Sequence, residues 1–97
     1  MRIIARRTLH EFWERYPETA GPLQAWYHDA AKATWKTPSD IKAVSRNASI
    51  LGNNRAVFNI RGNEYRLVIA INYSYGIVSI RFIGTHQEYD KVNAEEV

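Results

Sequence analysis

Cysteine is absent from the 97 residues, which removes disulfides and thiolate metal sites and fits a reducing cytosol. No run of about 18 apolar residues occurs, so no membrane-spanning helix is expected. The N-terminal MRIIARRTLHEF starts basic but lacks the apolar stretch and small-residue cleavage site of a secretory signal. A cytoplasmic protein is therefore expected, with no membrane as partner. The few glycines form neither GxGxxG nor a P-loop, and no GxSxG elbow supports a Ser-His-Asp triad. Histidines stand only at 10, 28 and 86, with no HExxH, so a zinc site is not expected. Neither a metal nor a cofactor is expected.

Acidic residues are scarce over most of the chain. Residues 1–87 hold twelve Lys/Arg against six Asp/Glu, a net +6, whereas residues 88–97 carry −3. A basic body with a short acidic tail suits a polyanion such as RNA, DNA or a ribosome, although a mildly basic soluble protein has the same balance. A hydrophobic content of 45% in so short a chain supports one core, and residues 1–97 read as one domain without repeats.

MRIIA reads as a first strand. Thr8-Leu9-His10-Glu11 has the form of a capping box, and Leu9, Phe12, Trp13 and Tyr16 recur at helical spacing. A helix over roughly 8–16 should stop at Pro17. A second should start at Pro22 and fade near Ala33, with Leu23, Trp26, Tyr27 and Ala30 as its apolar stripe. WKTPSDIKAVSRNASILGNN reads as an ordered connector in which Ser39 or Asp40 caps one helical turn through Ala43. From Arg55 the pattern alternates: RAVFNI, a turn at Arg61-Gly62-Asn63, EYRLVIAINY, a turn at Ser74-Tyr75-Gly76, then IVSIRFIG. The expectation is an α+β domain: a short N-terminal strand and two helices packed on a mainly antiparallel sheet ending in a three-stranded meander.

Period-two alternation assigns the faces of that meander. Tyr65, Leu67, Ile69 and Ile71, with Phe58 and Ile60 and with Val78, Ile80 and Phe82, should lie under the helices. The opposite face should then display Asn59, Arg61, Arg66, Ser79 and Arg81. Three strands each placing an Arg on one face, with only Glu64 at hand to pair them, make a plausible phosphate cradle, because planar guanidinium forks match phosphate oxygens.

Past Gly84-Thr85, at the end of the sheet, come His86, Tyr89 and Asp90. A His moves protons near neutral pH, and a Tyr hydroxyl can hydrogen-bond while its ring stacks on a base. Beside arginines that stabilise a pentavalent phosphorane, this set suits RNA cleavage by the substrate's own 2′-hydroxyl. Asp90 either orients His86 or bonds nearby backbone, the second being the commoner arrangement. Trp13, Trp26 and Trp35 read as packing residues.

The stretches ASILGNNRAVFNI, NEYRLVIAINY and IRFIGTHQEYDKV, together with LHEFWERYP, GPLQAWY and WKTPSDIK, resemble the HigB toxin family. That family lies within the RelE-like superfamily of bacterial type II toxin–antitoxin systems, and the resemblance covers nearly the whole chain. It implies an mRNA interferase that cleaves messenger RNA on the translating ribosome. It also implies a HigA-type helix-turn-helix antitoxin as partner, with operator DNA reached only through the toxin–antitoxin complex. By the same resemblance, Arg66 in EYRLV contacts the scissile phosphate, His86 transfers a proton or stabilises charge, and Tyr89 supplies an aromatic hydroxyl. The lysine pair of RelE has no clear counterpart, so the general base stays open. Asn59, Arg61 and Arg81 are RNA-binding candidates from the face argument alone. The same scaffold also serves non-catalytic inhibitors, such as translation blockers and gyrase poisons, and a simple RNA-binding domain would share its basic face.

Overall fold

Apolar periodicity decides most of the architecture. In the computed structural model, which describes residues 1–97, the chain runs β1 (Arg2–Ile4), α1 (Arg6–Arg15), a 3-10 turn (Pro17–Thr19), α2 (Ala20–Lys32) and α3 (Pro38–Val44). It continues through β2 (Ser49–Leu51), β3 (Arg55–Ile60), β4 (Tyr65–Asn72), β5 (Ile77–Thr85) and α4 (His86–Tyr89). The five strands form one sheet in the order β1-β5-β4-β3-β2; β1 runs parallel to β5 and every other pair is antiparallel. The expected α+β arrangement is present, with helices on one sheet face. No helix is long and apolar enough to cross a membrane.

The main core lies between the helices and that face. Leu9 and Phe12 of α1, Leu23 and Ala30 of α2, and Trp35 and Ile41 meet Phe58, Ile60, Leu67, Ile69, Ile71, Val78 and Ile80. The expected tryptophan packing holds for Trp35, which is buried, and for Trp13 and Trp26, which are partly buried against the same core.

Helix starts differ from the sequence expectations. Helix α1 begins at Arg6, with Ala5 in the left-handed region at φ 69°, so Thr8 lies inside the helix and caps nothing. The sharp turn out of β1 sets that start, and it outweighs the local Thr8–Glu11 pattern. Helix α2 begins at Ala20, straight after the 3-10 turn, which places Pro22 in its first turn. The connector is more regular than expected. Thr37, rather than Ser39 or Asp40, caps α3, and the Asp40 carboxylate accepts hydrogen bonds from the backbone N–H of Lys36 (2.8 Å) and Thr37 (3.1 Å). Ser49–Leu51 adds an edge strand that its three residues are too few to announce by alternation.

The larger correction concerns the second sheet face. Val68 pairs with Phe82 and Ile69 with Ile80, so Arg81 is an extra residue, a β-bulge. Beyond it the alternation of β5 shifts by one. Phe82 therefore joins the face opposite the helices, and Ile83 packs against the main core instead. That opposite face is also covered. The segment after α4 folds back over it, and Ala94 and Val97 pack with Val57, Val68 and Phe82 in a second small cluster.

One polar pair, between the buried Tyr65 and the exposed Glu18, joins helix layer to sheet. The Tyr65 hydroxyl donates to the Glu18 carboxylate, which raises the phenol to about 12 and holds the Glu18 carboxyl below its ordinary value. A raised phenol stabilises the fold fully below its ordinary value of 10.0 and loses that contribution as pH rises through about 12. Wild type is therefore expected to exceed Tyr65→Phe in urea midpoint at neutral pH, and the gap should close at pH 12. Tryptophan fluorescence measures both midpoints.

Candidate active site

At one end of the sheet, Asn59, Arg66 and Gly84 lie side by side on β3, β4 and β5. The β3–β4 turn fixes the middle member. Asn63 accepts from the Arg66 guanidinium at its side-chain oxygen (2.7 Å) and at its main-chain oxygen (3.0 Å). This aims the guanidinium across the row towards Tyr89, whose ring centroid lies 5.9 Å from the Arg66 Cζ. A cation over an aromatic face at this distance is attracted by the ring's quadrupole.

Helix α4 presents the remaining groups, and its shape is written in Thr85-His86-Gln87-Glu88. The Thr85 hydroxyl accepts from the Glu88 N–H at 3.1 Å, and the Glu88 carboxylate accepts from the Thr85 N–H at 2.8 Å. This reciprocal box forces the strand to become a helical turn at once. The His86 N–H donates to the Glu64 oxygen at 2.9 Å, which ties the turn to the β3–β4 hairpin that also holds Arg66. The His86 side chain is 46% exposed, and its Nδ1 stands 3.5 Å from the Asp90 carboxylate. Of the two arrangements open to Asp90, the structure shows it facing the histidine. The other ring nitrogen, Nε2, is left free to meet a ligand.

Gly84 is required by close approach. A Cβ there would lie 2.6 Å from Cζ of Phe82 and 3.0 Å from Oε1 of Glu88. The Phe82 ring crosses the glycine and then neighbours Tyr89, with centroids 6.5 Å apart. Gly84→Ala is expected to lose about 1–3 kcal/mol of stability, the usual cost of overpacking. Guanidinium unfolding measures this loss, and an unchanged midpoint would show that Phe82 yields freely.

The face argument grouped too many arginines. Arg61 is not on the shared face: it occupies the turn in the left-handed region at φ 53°, and its guanidinium is paired with Glu64 at 2.6 Å. Its charge acts on Glu18, on the helix side. Arg81, as the bulge residue, is three positions along β5 from the Arg66 row and donates through Nε to the main-chain oxygen of Val97 at 3.0 Å. Only Asn59 stands with Arg66 as expected. Conversely, sequence reading missed Asn63, Thr85 and Glu88 as supports of the site. The T-x-x-E pattern at Thr85–Glu88 was the available signal; Asn63 had none, because it acts through a turn geometry.

A partly enclosed cavity of about 400 Å³ lies elsewhere, between α2, α3 and β3, and is lined by Trp26, Trp35, Val44 and Phe58 among others. It holds none of the His86, Tyr89 or Arg66 chemistry. The candidate site is open surface, suited to a ligand presented by something larger. No group of three or more His, Cys, Asp or Glu side chains is placed to hold a metal ion.

Residues 19–92 match the family model described as HigB_toxin, the RelE-like toxic component of a toxin–antitoxin system. The chain belongs to the HigB toxin family. It is 33% identical over 92 residues to the mRNA interferase toxin HigB of Escherichia coli (strain K12), covering 93% of this chain and 88% of that protein. The mRNA interferase HigB of Shigella flexneri matches to the same extent. A second HigB, from Escherichia coli O6:H1, is 27% identical over 94 residues, covering 95% of this chain and 91% of its own length. Membership of this family makes the chain one half of a toxin–antitoxin pair. In this HigB chain both ends of the site, the Arg66 strand and the α4 turn, fall inside the matched residues.

Proposed function

We propose that this HigB chain is a ribosome-dependent endoribonuclease that cuts messenger RNA at the Arg66–His86–Tyr89 site. The observation that carries the proposal is convergence: the β3–β4 hairpin and the α4 turn bring a guanidinium, a phenol and an imidazole to one end of the sheet, on an open surface. The relatives named mRNA interferase support the same reading.

The reaction takes its nucleophile from the substrate. Asp90 beside Nδ1 favours the imidazole tautomer with its proton there, so the lone pair on His86 Nε2 is free to take the 2′-hydroxyl proton. The 2′-oxygen attacks phosphorus, and Arg66 stabilises the charge that builds on the non-bridging oxygens. The P–O5′ bond breaks, and the Tyr89 hydroxyl gives its proton to the leaving 5′-oxygen. The products are a 2′,3′-cyclic phosphate and a 5′-hydroxyl end. Asn59, beside Arg66, hydrogen-bonds the adjacent nucleotide, and Arg81 binds backbone further along the sheet. Asp90 and Asn63 are positioning residues for His86 and Arg66.

An open site gains little from free RNA, which must be ordered on binding; a ribosome presents the message already ordered. The basic body then assists docking on ribosomal RNA. A HigA-type helix-turn-helix antitoxin neutralises the toxin, and operator DNA is met only through that complex.

The test adds purified protein to a cell-free translation reaction and maps 5′ ends of the message. New ends within translated codons, absent without ribosomes, are the expected result. Arrested translation with intact message would instead make the protein a blocker.

A further inference from the structure

The cavity between α2, α3 and β3 is walled chiefly by apolar side chains, with Asp29 and Lys32 among its few polar members. A second hollow of about 330 Å³ shares Ala33, Trp35 and Val44 with it and extends to Thr34, Asp40 and Ala43. Together they make one groove along α3. Val44, which borders both hollows at the end of α3, is 72% exposed. Apolar surface left open beside a concavity is the mark of a contact site. Trp26, in the same wall, keeps a buried indole N–H with no acceptor, whereas buried donors are almost always paired.

These features describe an occupant that brings aliphatic side chains, an acceptor and negative charge. Two adjoining hollows call for more than one side chain, and so for a segment of polypeptide. Trp35 and Phe58 are almost wholly buried and stack on one another, so they wall the groove without offering a nucleobase an open face. Residues 29–46, which build this side, hold four Lys/Arg against two Asp, a net +2. The Asp40 carboxylate already accepts from two backbone N–H groups, and none of Lys32, Lys36 and Arg46 takes part in an ion pair. A second copy of the chain would set this positive rim against itself, whereas an acidic segment would neutralise it.

We propose that the α2–α3 groove receives a segment of the antitoxin in which aliphatic side chains are flanked by Asp or Glu. Family membership supplies the partner, so the inference stands apart from the nuclease reading. The aliphatic groups fill the two hollows past Val44, an oxygen of the segment accepts from Trp26, and its carboxylates face Lys32, Lys36 and Arg46.

The three tryptophans give three indole N–H signals in a ¹⁵N spectrum of the labelled toxin. On titration with the purified cognate antitoxin, the Trp26 and Trp35 signals are expected to move. Calorimetry then compares antitoxin affinity for wild type, Val44→Gln and Lys32→Gln. Val44→Gln is expected to bind roughly tenfold more weakly, the scale of one buried aliphatic side chain. Lys32→Gln is expected to lose about threefold and to bind with less dependence on salt, as for one exposed charge pair. Both residues are exposed, so the folded state should tolerate either change. Unmoved Trp26 and Trp35 signals, wild-type affinity in both variants, or no binding by wild type would overturn the proposal. So would unchanged antitoxin affinity with weakened ribosome binding, which would give the groove to the ribosome. A toxin dimer that Val44→Gln dissociates, with antitoxin affinity intact, would give it to a second copy and equally overturn the proposal. Antitoxin bound in this groove by a toxin that leaves the message intact on ribosomes would overturn the nuclease reading and leave the groove standing.

Discussion

His86→Ala is expected to lower mRNA cleavage on ribosomes by roughly 10²–10⁴-fold, the usual contribution of a positioned general base. The protein should remain folded. The His86 side chain is half exposed with Asp90 as its charged partner, while its structural bond runs from the main-chain N–H to the main-chain oxygen of Glu64 and survives the substitution. The α4 turn is held by Thr85 and Glu88, neither of which is touched. Single-turnover cleavage with saturating toxin measures the loss, and thermal unfolding confirms the fold. Cleavage at the wild-type rate would remove His86 from the mechanism.

Arg66→Ala is the second large effect, expected at about 10²–10³-fold in the cleavage step, the scale of one lost oxyanion partner. Here the conservative variant is informative. Arg66→Lys keeps the charge but loses the planar fork that Asn63 grips at two oxygens. A lysine at this position should therefore recover little of the rate. Full recovery by Lys would mean that charge alone matters, and that the hairpin grip on the guanidinium is incidental. Asn63→Ala offers the complementary case, a smaller loss of rate with the guanidinium still present but no longer aimed at Tyr89.

Much of this fold was legible because its signals are long. Every second residue of β4 from Tyr65 to Ile71 is buried, the start of β5 alternates in the same way, and Pro17 ends α1 where its side chain forbids continuation. What escaped was decided by tertiary geometry. A three-residue strand such as β2 has too few positions to show a period, and the left-handed Ala5 moved the start of α1 against a local capping pattern. Most consequential was the bulge at Arg81. Alternation assumes an unbroken register, so one extra residue sent Phe82 to the other face and Arg81 towards Val97.

The candidate site divides along the same line. Arg66, His86 and Tyr89 came from a family resemblance and a strand-end position, and the structure gathers all three at one end of the sheet. Arg61 was misplaced because a turn residue at φ 53° follows no strand alternation. Its partner was visible all along: Glu64 was the one acid noted near that face, and Arg61 takes it.

The most direct measurement places a single 2′-deoxynucleotide at the mapped cleavage position of a ribosome-bound message and compares its fate with the all-ribose message. Cleavage of the ribose form to a 2′,3′-cyclic phosphate, with no cut in the deoxy form, is the predicted result. Cutting of both at similar rates would contradict attack by the 2′-hydroxyl, and with it the roles given to His86 and Tyr89.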